Sequence, residues 1–444
     1  MADDVELDAA LARLDPPAGG AAARLLVGLS GGLDSTVLLH ALVRRRGVQG
    51  LRAIHVHHGL HPDAEAWTRH CERLCAALGV PLEVARVRVD ASSALGPEGA
   101  ARQARHAAFA AALAHGETLV LAHHRDDQAE TILLRLLRAS GSTGLAAMRV
   151  ERAFGAHRLV RPLLTLGRDG LRAYAERHRL SWCEDPSNAS IEADRNFLRL
   201  RVLPLLRERW PQASQALAAS AARLREDADL LEQATHERLE ALGGDRDWLP
   251  VAGLLALEPG WRARVLRAWT ASKGYPPLPG TAPAVIATDV LHAPHDRAAC
   301  YRWHGAQLRR WGDRLYALAD AAVGDAAAWS LPWDGIGPLA LPGGGEVSFV
   351  GGDDARLDAD FGPCTVGSRR GGERILLPGR QHAHALKDRL REAVLPPWER
   401  TRLPLLCGGQ GAVLAAGDAI VSAALADWCQ GHGKQLRWRR AGAD

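Results

Sequence analysis

The first 125 residues alternate between two hydrophobic periods. Short apolar runs predict four β-strands, at 24–29, 51–56, 82–89 and 118–123. Each run is followed by a stretch in which apolar residues recur at helical spacing, as Val37, Leu38, Ala41 and Leu42 do after the first. This alternation predicts an α/β fold, a parallel sheet with helices on both faces. Because ligands bind beyond the carboxyl ends of such strands, chemistry is expected in the turns after Leu29, Val56 and Ala122.

The pattern changes after Trp210. A long Ala/Leu/Glu/Arg-rich stretch from Gln212 to Leu242 predicts a helix, and we expect a helical domain over 214–325. A Gly/Pro/Asp-rich segment over 326–360 is expected to be an acidic linker and the start of the last domain. The remainder, 361–444, mixes short strands with a predicted helix at 384–393, which indicates a small α+β domain. The first domain is expected to cover 1–213.

Composition and charge narrow the class of protein. The chain has 444 residues, 47% of them hydrophobic and 24% charged, which is ordinary for a globular protein. No run approaches the roughly 18 apolar residues of a membrane helix, and the first residues are acidic, so we expect a cytoplasmic protein without membrane insertion. The seven cysteines contain no Cys-x-x-Cys pair and predict reduced thiols rather than structural zinc.

Charge is distributed unevenly along the chain. Residues 321–360 hold one Arg against seven acids, whereas residues 361–444 hold thirteen Lys or Arg against seven acids. This asymmetry predicts a C-terminal module that meets polyanions. Of the 55 basic residues, 52 are Arg, and high genomic GC content, which favours Arg over Lys at any surface position, is an alternative source of part of this preference.

The turn after the first strand carries the clearest motif, Ser30-Gly31-Gly32-Leu33-Asp34-Ser35. Two glycines allow the backbone N–H groups to approach an anion, and the following helix N-terminus adds a partial positive charge. Neither the Walker nor the Rossmann glycine spacing is present. The motif therefore predicts a phosphate cradle of another kind, with a simple capped glycine turn as the alternative.

The next two turns are rich in polar side chains. His55, His57, His58 and His61 follow the second strand; a metal cluster is one interpretation, and an edge for the adenine or another base is the favoured one. The third turn carries Asp126, Asp127 and Glu130. One Asp suffices to cap the next helix, so the additional negative charge favours a Mg²⁺ and catalytic role.

Across these three turns the chain resembles the PP-loop superfamily of ATP pyrophosphatases and, within it, the tRNA(Ile)-lysidine synthetase family. The resemblance covers nearly the whole chain. Its segments lie at 30–35, 55–60, 101–106, 123–131, 141–148, 161–164, 184–188, 195–199, 369–374, 386–388 and 396–400. Two departures are His106, where the family is expected to have Tyr, and the use of Arg rather than Lys in the last domain.

The resemblance implies a two-step reaction on isoleucine tRNA with a CAU anticodon. ATP adenylates the carbonyl oxygen of the wobble cytidine and releases pyrophosphate; free lysine then attacks the same ring carbon and AMP departs. The implied ATP-binding residues are Ser30, Gly31, Gly32, Leu33, Asp34, Ser35 and His55. The implied Mg²⁺ ligands are Asp34 and Asp127. The implied catalytic residues are Asp34, Asp127 and Glu130, and the resemblance also assigns Asp127 and Glu130 to the lysine substrate. Whether Asp127, Glu130 or water accepts the proton of lysine stays open.

For tRNA, the candidates are paired arginines at helical spacing, Arg102 with Arg105 and Arg195 with Arg199, with a solvated helix face as the alternative. Trp182 and Phe197 are candidates for stacking on an unstacked base, although burial in the core is the simpler interpretation for each. The basic last domain, with Trp398, would hold a more distant part of the tRNA.

Two other functions remain open. A tRNA 2-thiocytidine synthetase uses the same ATP chemistry but would need paired Cys-x-x-Cys sites, which the chain lacks. A tRNA-binding protein with an inactive nucleotide site is the second alternative, and the intact Ser30–Ser35 motif argues against it. The sequence does not determine the oligomeric state, and a homodimer is kept as a hypothesis.

Overall fold

A computed structural model of the chain describes residues 2–15, 23–89, 96–244, 247–294, 299–320, 328–342, 344–393 and 395–440. The chain forms two compact units, Met1–Gln233 and Ala234–Asp444. The expected boundary between 325 and 326 lies outside the described residues. None of the helices in the described ranges combines the length and the apolar character that crossing a membrane requires.

The first unit contains a six-stranded sheet. Its strands are β1 Arg24–Gly28, β2 Leu51–His57, β3 Leu82–Arg86, β4 Glu117–Val120, β5 Glu151–Phe154 and β6 His157–Val160. Their order is β3-β2-β1-β4-β6-β5, and all neighbours are parallel except the β5–β6 hairpin. The predicted parallel sheet is confirmed, while the antiparallel edge hairpin is an addition that the strand–helix alternation did not reveal.

The helices of this unit cover both faces of the sheet. They are α1 Ala2–Leu11, α2 Leu33–Arg46, α3 Ala64–Leu78, α4 Gly96–Ala112, α5 Arg125–Leu137, α6 Ser142–Leu145, α7 Arg168–Arg177, α8 Asp194–Phe197, α9 Leu203–Arg209 and α10 Ala213–Ala241, the last continuing into the second unit. Alternate residues of β1 enter different cores: Leu25 and Val27 pack with α1, α2, α3 and α7, whereas Leu26 packs with Phe109 of α4. Burial on both faces explains why β1 is continuously apolar.

Short helical turns belong beside these helices. The 3-10 turns among the described residues of this unit are Ala12–Leu14 after α1, Pro162–Thr165 after β6 and Pro186–Ala189 after α7. A π-helical turn, Leu198–Val202, joins α8 to α9, so that residues 194–209 form one continuous helical rod.

The first part of the second unit is not purely helical. Besides α11 Val251–Ala256, α12 Pro259–Ser272 and α13 Ala282–Val285, it contains β7 Trp248–Pro250, β8 Cys300–Trp303, β9 Ala306–Trp311 and β10 Arg314–Ala319, an antiparallel sheet of order β7-β10-β9-β8. The prediction of a helical domain over 214–325 therefore overlooked a sheet. Polar residues at buried positions of β9, Gln307 and Arg310, hide its apolar alternation.

The last part of the chain is built from short antiparallel strands. The elements are β11 Ser330–Pro332, β12 Leu339–Ala340, β13 Gly345–Val350, α14 Leu357–Phe361, β14 Thr365–Gly367, β15 Arg374–Ile375, β16 His384–Ala385, α15 Leu386–Glu392, α16 Pro397–Arg402, β17 Leu405–Cys407, β18 Val413–Ala416, β19 Ile420–Val421, α17 Ala423–Gly431 and β20 Gln435–Arg440. Strand β11 pairs with β14 and β13 pairs with β20. These parts of the expected linker therefore belong to the sheets of the last domain. Helix α15 confirms the helix predicted at 384–393, and Trp398 is buried.

Candidate active site

The Ser30–Ser35 motif forms a tight loop between β1 and α2. Ser35 Oγ accepts the N–H of Ser30 at 3.2 Å and donates to the carbonyl oxygen of Gly32 at 3.1 Å. It also lies 3.0 Å from Ser30 Oγ. Gly32 is the N-cap residue of α2 in extended conformation, and Leu33 is buried as the first helical residue. In this structure the hydroxyl of Ser35 closes the loop, which holds the backbone N–H groups at the helix N-terminus in one arrangement.

Gly31 is required by the geometry of this loop. Its φ is +86°, and an added Cβ would lie 3.0 Å from Cys71 Sγ. We expect Gly31→Ala to lower the free energy of unfolding by about 1–2 kcal/mol or more, because a left-handed backbone disfavours a side chain. We also expect weaker ATP binding, since the loop must shift to make room. Denaturant unfolding and ATP titration measure the two effects.

Gly116 provides the matched control. It also has a positive φ, +73°, but a Cβ there would meet nothing within 4 Å. It precedes β4, at the opposite end of the sheet from the loop. Gly116→Ala should therefore cost stability without changing ATP affinity. Equal ATP affinities for the two variants would contradict the role given to the Gly31 loop.

His55 and His57, expected in the second turn, lie within β2, and His55 anchors the end of that strand. This ring is buried, and its Nδ1–H donates to the carbonyl oxygen of Leu29 at 2.9 Å, while Cys71 Sγ lies 3.4 Å from the same nitrogen. Burial is the main cause that lowers the pKa of His55, which keeps the ring neutral. His55 thus fixes the carboxyl end of β1, from which the loop departs. Within the described ranges, no group of three or more His, Cys, Asp and Glu side chains is arranged to hold a metal ion.

The third turn begins α5 with a reciprocal cap. His124 Nδ1 accepts the N–H of Asp126 at 3.2 Å, and Asp127 Oδ2 accepts the N–H of His124 at 2.9 Å. Asp127 is therefore part of a capping box as well as a site carboxylate. The Asp126 carboxylate accepts the N–H of Arg168 at 3.0 Å, forms an ion pair with Arg207 and lies 3.8 Å from His124 Nδ1.

His124 joins the first and third turns. Its Nε2 lies 3.6 Å from Asp34 Oδ2 and 3.5 Å from Asp127 Oδ2. Because Nδ1 accepts a hydrogen bond, the proton of the neutral ring is on Nε2, between the two carboxylates. Burial opposes a charge on His124, but the carboxylates of Asp34, Asp127 and Asp126 outweigh it and raise the pKa of the ring. His124 Nε2 thus lies close to both Asp34 and Asp127, two carboxylates that are distant in sequence.

Glu130 is the most enclosed carboxylate of the site. It is fully buried, and its two oxygens accept hydrogen bonds from Nε of Arg195 and Nε of Arg199, each at 2.6 Å. Arg195 also donates to Asp127 Oδ1 at 2.7 Å. Burial raises the pKa of Asp127, but His124, Arg195 and His123 outweigh that effect and hold it below its ordinary value. Asp127 therefore stays ionised inside the protein.

This arrangement changes the interpretation of Arg195 and Arg199. Their side chains are only 22% and 27% exposed, and both contact Glu130. The solvated-face alternative is therefore wrong for this pair. Phe197, between them in sequence, is 46% exposed, so the burial interpretation is wrong for Phe197, whereas Trp182 is partly buried against the core.

Arg102 and Arg105 lie on α4, near a second group of arginines. Burial is the main cause that lowers the pKa of His106 to about 4, and Arg102, Arg105, Arg152 and Arg161 add to it. Arg161 is itself buried and donates to the carbonyl oxygen of Arg149 at 3.0 Å. This cluster of positive charge beside β6 is suited to an anion.

The roles of His123, His124 and Arg161 were not found from the sequence, although all three lie in segments of the resemblance. Burial lowers the pKa of His123 well below its usual range. The positive charges of Arg161 and Arg195 lower this pKa further, while the carboxylate of Asp127 partly offsets them. A signal for the cap was present: a polar residue after a strand and three residues before an Asp matches the spacing of a capping box.

A glycine-rich anion cradle at the carboxyl end of β1, facing carboxylates at the end of β4, is characteristic of a PP-loop nucleotide-binding protein. Residues 6–206 match the family model described as a PP-loop domain. Residues 249–316 match the TilS substrate binding domain, and residues 364–438 match the TilS substrate C-terminal domain.

Curated relatives resemble the chain over most of its length. The tRNA(Ile)-lysidine synthase of Xanthomonas campestris pv. campestris (strain 8004) is 48% identical over 440 residues, covering 99% of each chain. Those of Xylella fastidiosa (strain 9a5c) and Edwardsiella ictaluri (strain 93-146) are 48% and 42% identical, covering 94% and 89% of this chain and 95% and 90% of theirs. A crystal structure of the TilS C-terminal domain aligns with TM-score 0.22 at 25% identity, covering 26% of this chain and 98% of that one. The chain belongs to the tRNA(Ile)-lysidine synthase family.

Proposed function

We propose that this protein uses ATP to join free lysine to the wobble cytidine of the CAU anticodon of isoleucine tRNA. The observation that carries the proposal is 48% identity, over 99% of both chains, to a protein named tRNA(Ile)-lysidine synthase. The PP-loop match over residues 6–206 supports the use of ATP. A 2-thiocytidine synthetase or an inactive tRNA-binding protein is less well supported, because the likeness extends over the substrate-binding and C-terminal domains as well.

In the first step, the carbonyl oxygen of cytosine forms a bond to the α-phosphate of ATP, and the bond to pyrophosphate breaks. Charge develops on the departing pyrophosphate. The backbone N–H groups of Gly31 and Gly32, with the N-terminus of α2 and the hydroxyls of Ser30 and Ser35, are proposed to stabilise it. The hydrogen bond of His55 to Leu29 holds the strand end from which this loop starts, and His55 is proposed to border the ATP.

Asp34 and Asp127 fit the requirements of a Mg²⁺ site. Asp34 Oδ1 is a buried oxygen without a hydrogen-bond partner among the described residues, and Asp127 is held ionised nearby through His124. Mg²⁺ in such sites takes one or two carboxylates and completes its shell with phosphate oxygens and water. When bound, Mg²⁺ would neutralise the charge of the phosphates.

In the second step, the lysine amine bonds to the ring carbon and AMP leaves. Asp127 and Glu130 are proposed to hold this amine, since Arg195 holds the two carboxylates side by side in the site. An ammonium must lose its proton as it attacks, and Asp127, Glu130 or water accepts it. Arg195 and Arg199 hold both carboxylates in place, and Arg102, Arg105, Arg195 and Arg199 are proposed to bind tRNA phosphates.

The test is incorporation of labelled lysine into two transcripts, an isoleucine tRNA with a CAU anticodon and a methionine tRNA with the same anticodon. We expect lysine in the isoleucine transcript alone, together with AMP release that depends on ATP and Mg²⁺. AMP release without incorporation of lysine would indicate that a nucleophile other than the lysine amine takes part in the second step. The absence of AMP release would support the alternative of a tRNA-binding protein with an inactive nucleotide site. Sedimentation of the same sample tests the proposed homodimer.

A further inference from the structure

The helical rod 194–209 has two faces of different character. On one face, Arg195 and Arg199 bind Glu130. Phe197 lies about half a helical turn away from both, and residues near four-residue spacing continue its face along the rod. We call this face the outer ridge; it consists of Phe197, Arg201, Leu205, Arg209 and the adjoining Trp210, all exposed.

The outer ridge exposes three large apolar side chains to solvent. Phe197, Leu205 and Trp210 are 46%, 65% and 59% exposed. They alternate with the exposed cations Arg201 and Arg209, and the guanidinium of Arg209 lies 6.0 Å from the ring centre of Trp210. Glu208 is the one acidic residue between Arg195 and Trp210. Aromatic and apolar side chains interleaved with arginines suit bases and phosphates of single-stranded nucleic acid.

The ridge begins beside the proposed chemistry. Phe197 is two residues from Arg195 and two from Arg199, whose guanidinium groups touch Glu130. The π-helical turn that starts at Leu198 lies at this same point, and such turns are frequent at functional sites. Phe197 therefore lies across the rod from these guanidinium groups, separated from them by one helix diameter, roughly 10–12 Å.

We propose that the outer ridge binds the single-stranded anticodon loop, and that Phe197 stacks on a base next to the reacting cytidine. This inference rests on the proposed function, from which it takes the tRNA. Phe197 is a positioning residue here, because the base on which it stacks is not the one that reacts. Arg201 and Arg209 contact the phosphates that follow along the ridge.

A second copy of the chain is a less suitable occupant. In a symmetric dimer the same patch meets itself, so the arginines of one copy would face those of the other, with Glu208 as the one acidic residue of the segment to offset them. Stacking on bases makes use of both residue types, since each base has an apolar face and each nucleotide a negative phosphate.

The ridge is tested with an anticodon stem-loop that carries 2-aminopurine at either neighbour of the wobble position. Binding to the wild-type protein should change the fluorescence of the probe through stacking on Phe197. Phe197→Ala should lose this change and raise the KM for tRNA by about tenfold or more, whereas Phe197→Trp should restore both. Leu230→Ala, which removes another exposed apolar side chain from α10, should behave as wild type.

The cations are tested by the salt dependence of binding. Arg201→Gln should reduce the slope of affinity against salt by about one unit, whereas Arg13→Gln, an equal loss of charge in the N-terminal 3-10 turn, should not. If Phe197→Ala keeps the wild-type change of probe fluorescence and the wild-type KM for tRNA, the outer ridge does not bind the anticodon loop. A shift of that variant from dimer to monomer in sedimentation would also contradict the proposal, because the ridge would then be a dimer interface. The fluorescence measurement needs no turnover, so it tests base stacking on the outer ridge independently of catalysis. Failure of the wild-type protein to incorporate lysine would instead contradict the proposed function.

Discussion

Asp127→Asn should lower the release of AMP by about 10³-fold while the chain stays folded. Asn retains an oxygen that can accept the N–H of His124, which Asp127 accepts at 2.9 Å, so the start of α5 survives. The substitution removes the negative charge that faces Arg195 and His124 and that we assign to Mg²⁺. Quenched-flow measurement of AMP and pyrophosphate, with circular dichroism for folding, tests this expectation.

Asp126 supplies the matched control for that experiment. It is adjacent in sequence and carries the same charge, but it pairs with Arg207 and the N–H of Arg168 and faces Nδ1 of His124, whereas Asp127 faces Nε2, the nitrogen it shares with Asp34. Asp126→Asn should therefore retain most of the activity. A folded Asp127→Asn variant that releases AMP at the wild-type rate would remove Asp127 from the mechanism.

Glu130→Gln should raise the KM for lysine by about 10²-fold, with a smaller change in the KM for tRNA. The amide keeps one oxygen but loses the charge that balances Arg195 and Arg199. The free energy of unfolding should also fall, by about 1–3 kcal/mol, because two guanidinium groups lose a charged acceptor. Lysine and tRNA saturation curves and urea unfolding measure these effects.

Glu117 distinguishes loss of the site from loss of a buried ion pair. It is also a buried carboxylate on an arginine, Arg52, at 2.8 Å, and it also accepts the N–H of Ala114. It begins β4, at the opposite end of the sheet from the site. Glu117→Gln should destabilise the fold and leave the KM for lysine unchanged. If both variants leave that KM unchanged, Glu130 does not contact lysine.

The elements that sequence analysis found and those it overlooked differ in length and in burial. Strand β1 and helix α2 are continuous in hydrophobic pattern, since β1 is buried on both faces and α2 lies against the sheet. The sheet β7-β10-β9-β8 was overlooked because its strands are short and place Gln307 and Arg310 inside. Arg310, for example, donates to the carbonyl oxygens of Leu291 and Ala293, partners outside its own strand that a local period does not reveal.

The sequence by itself determined the parallel sheet, the loop Ser30–Ser35 and the candidate carboxylates, because each depends on residues that are close in the chain. Only the tertiary structure decided which charges meet. Arg195 and Arg199 are 65 and 69 residues from Glu130, and their spacing of four fits a solvated face as well as an ion pair. Their partner is set by how residues 194–209 pack against α5, and the same packing leaves Phe197 exposed. Long-range electrostatic pairing depends on the fold, whereas hydrophobic period and turn chemistry are local.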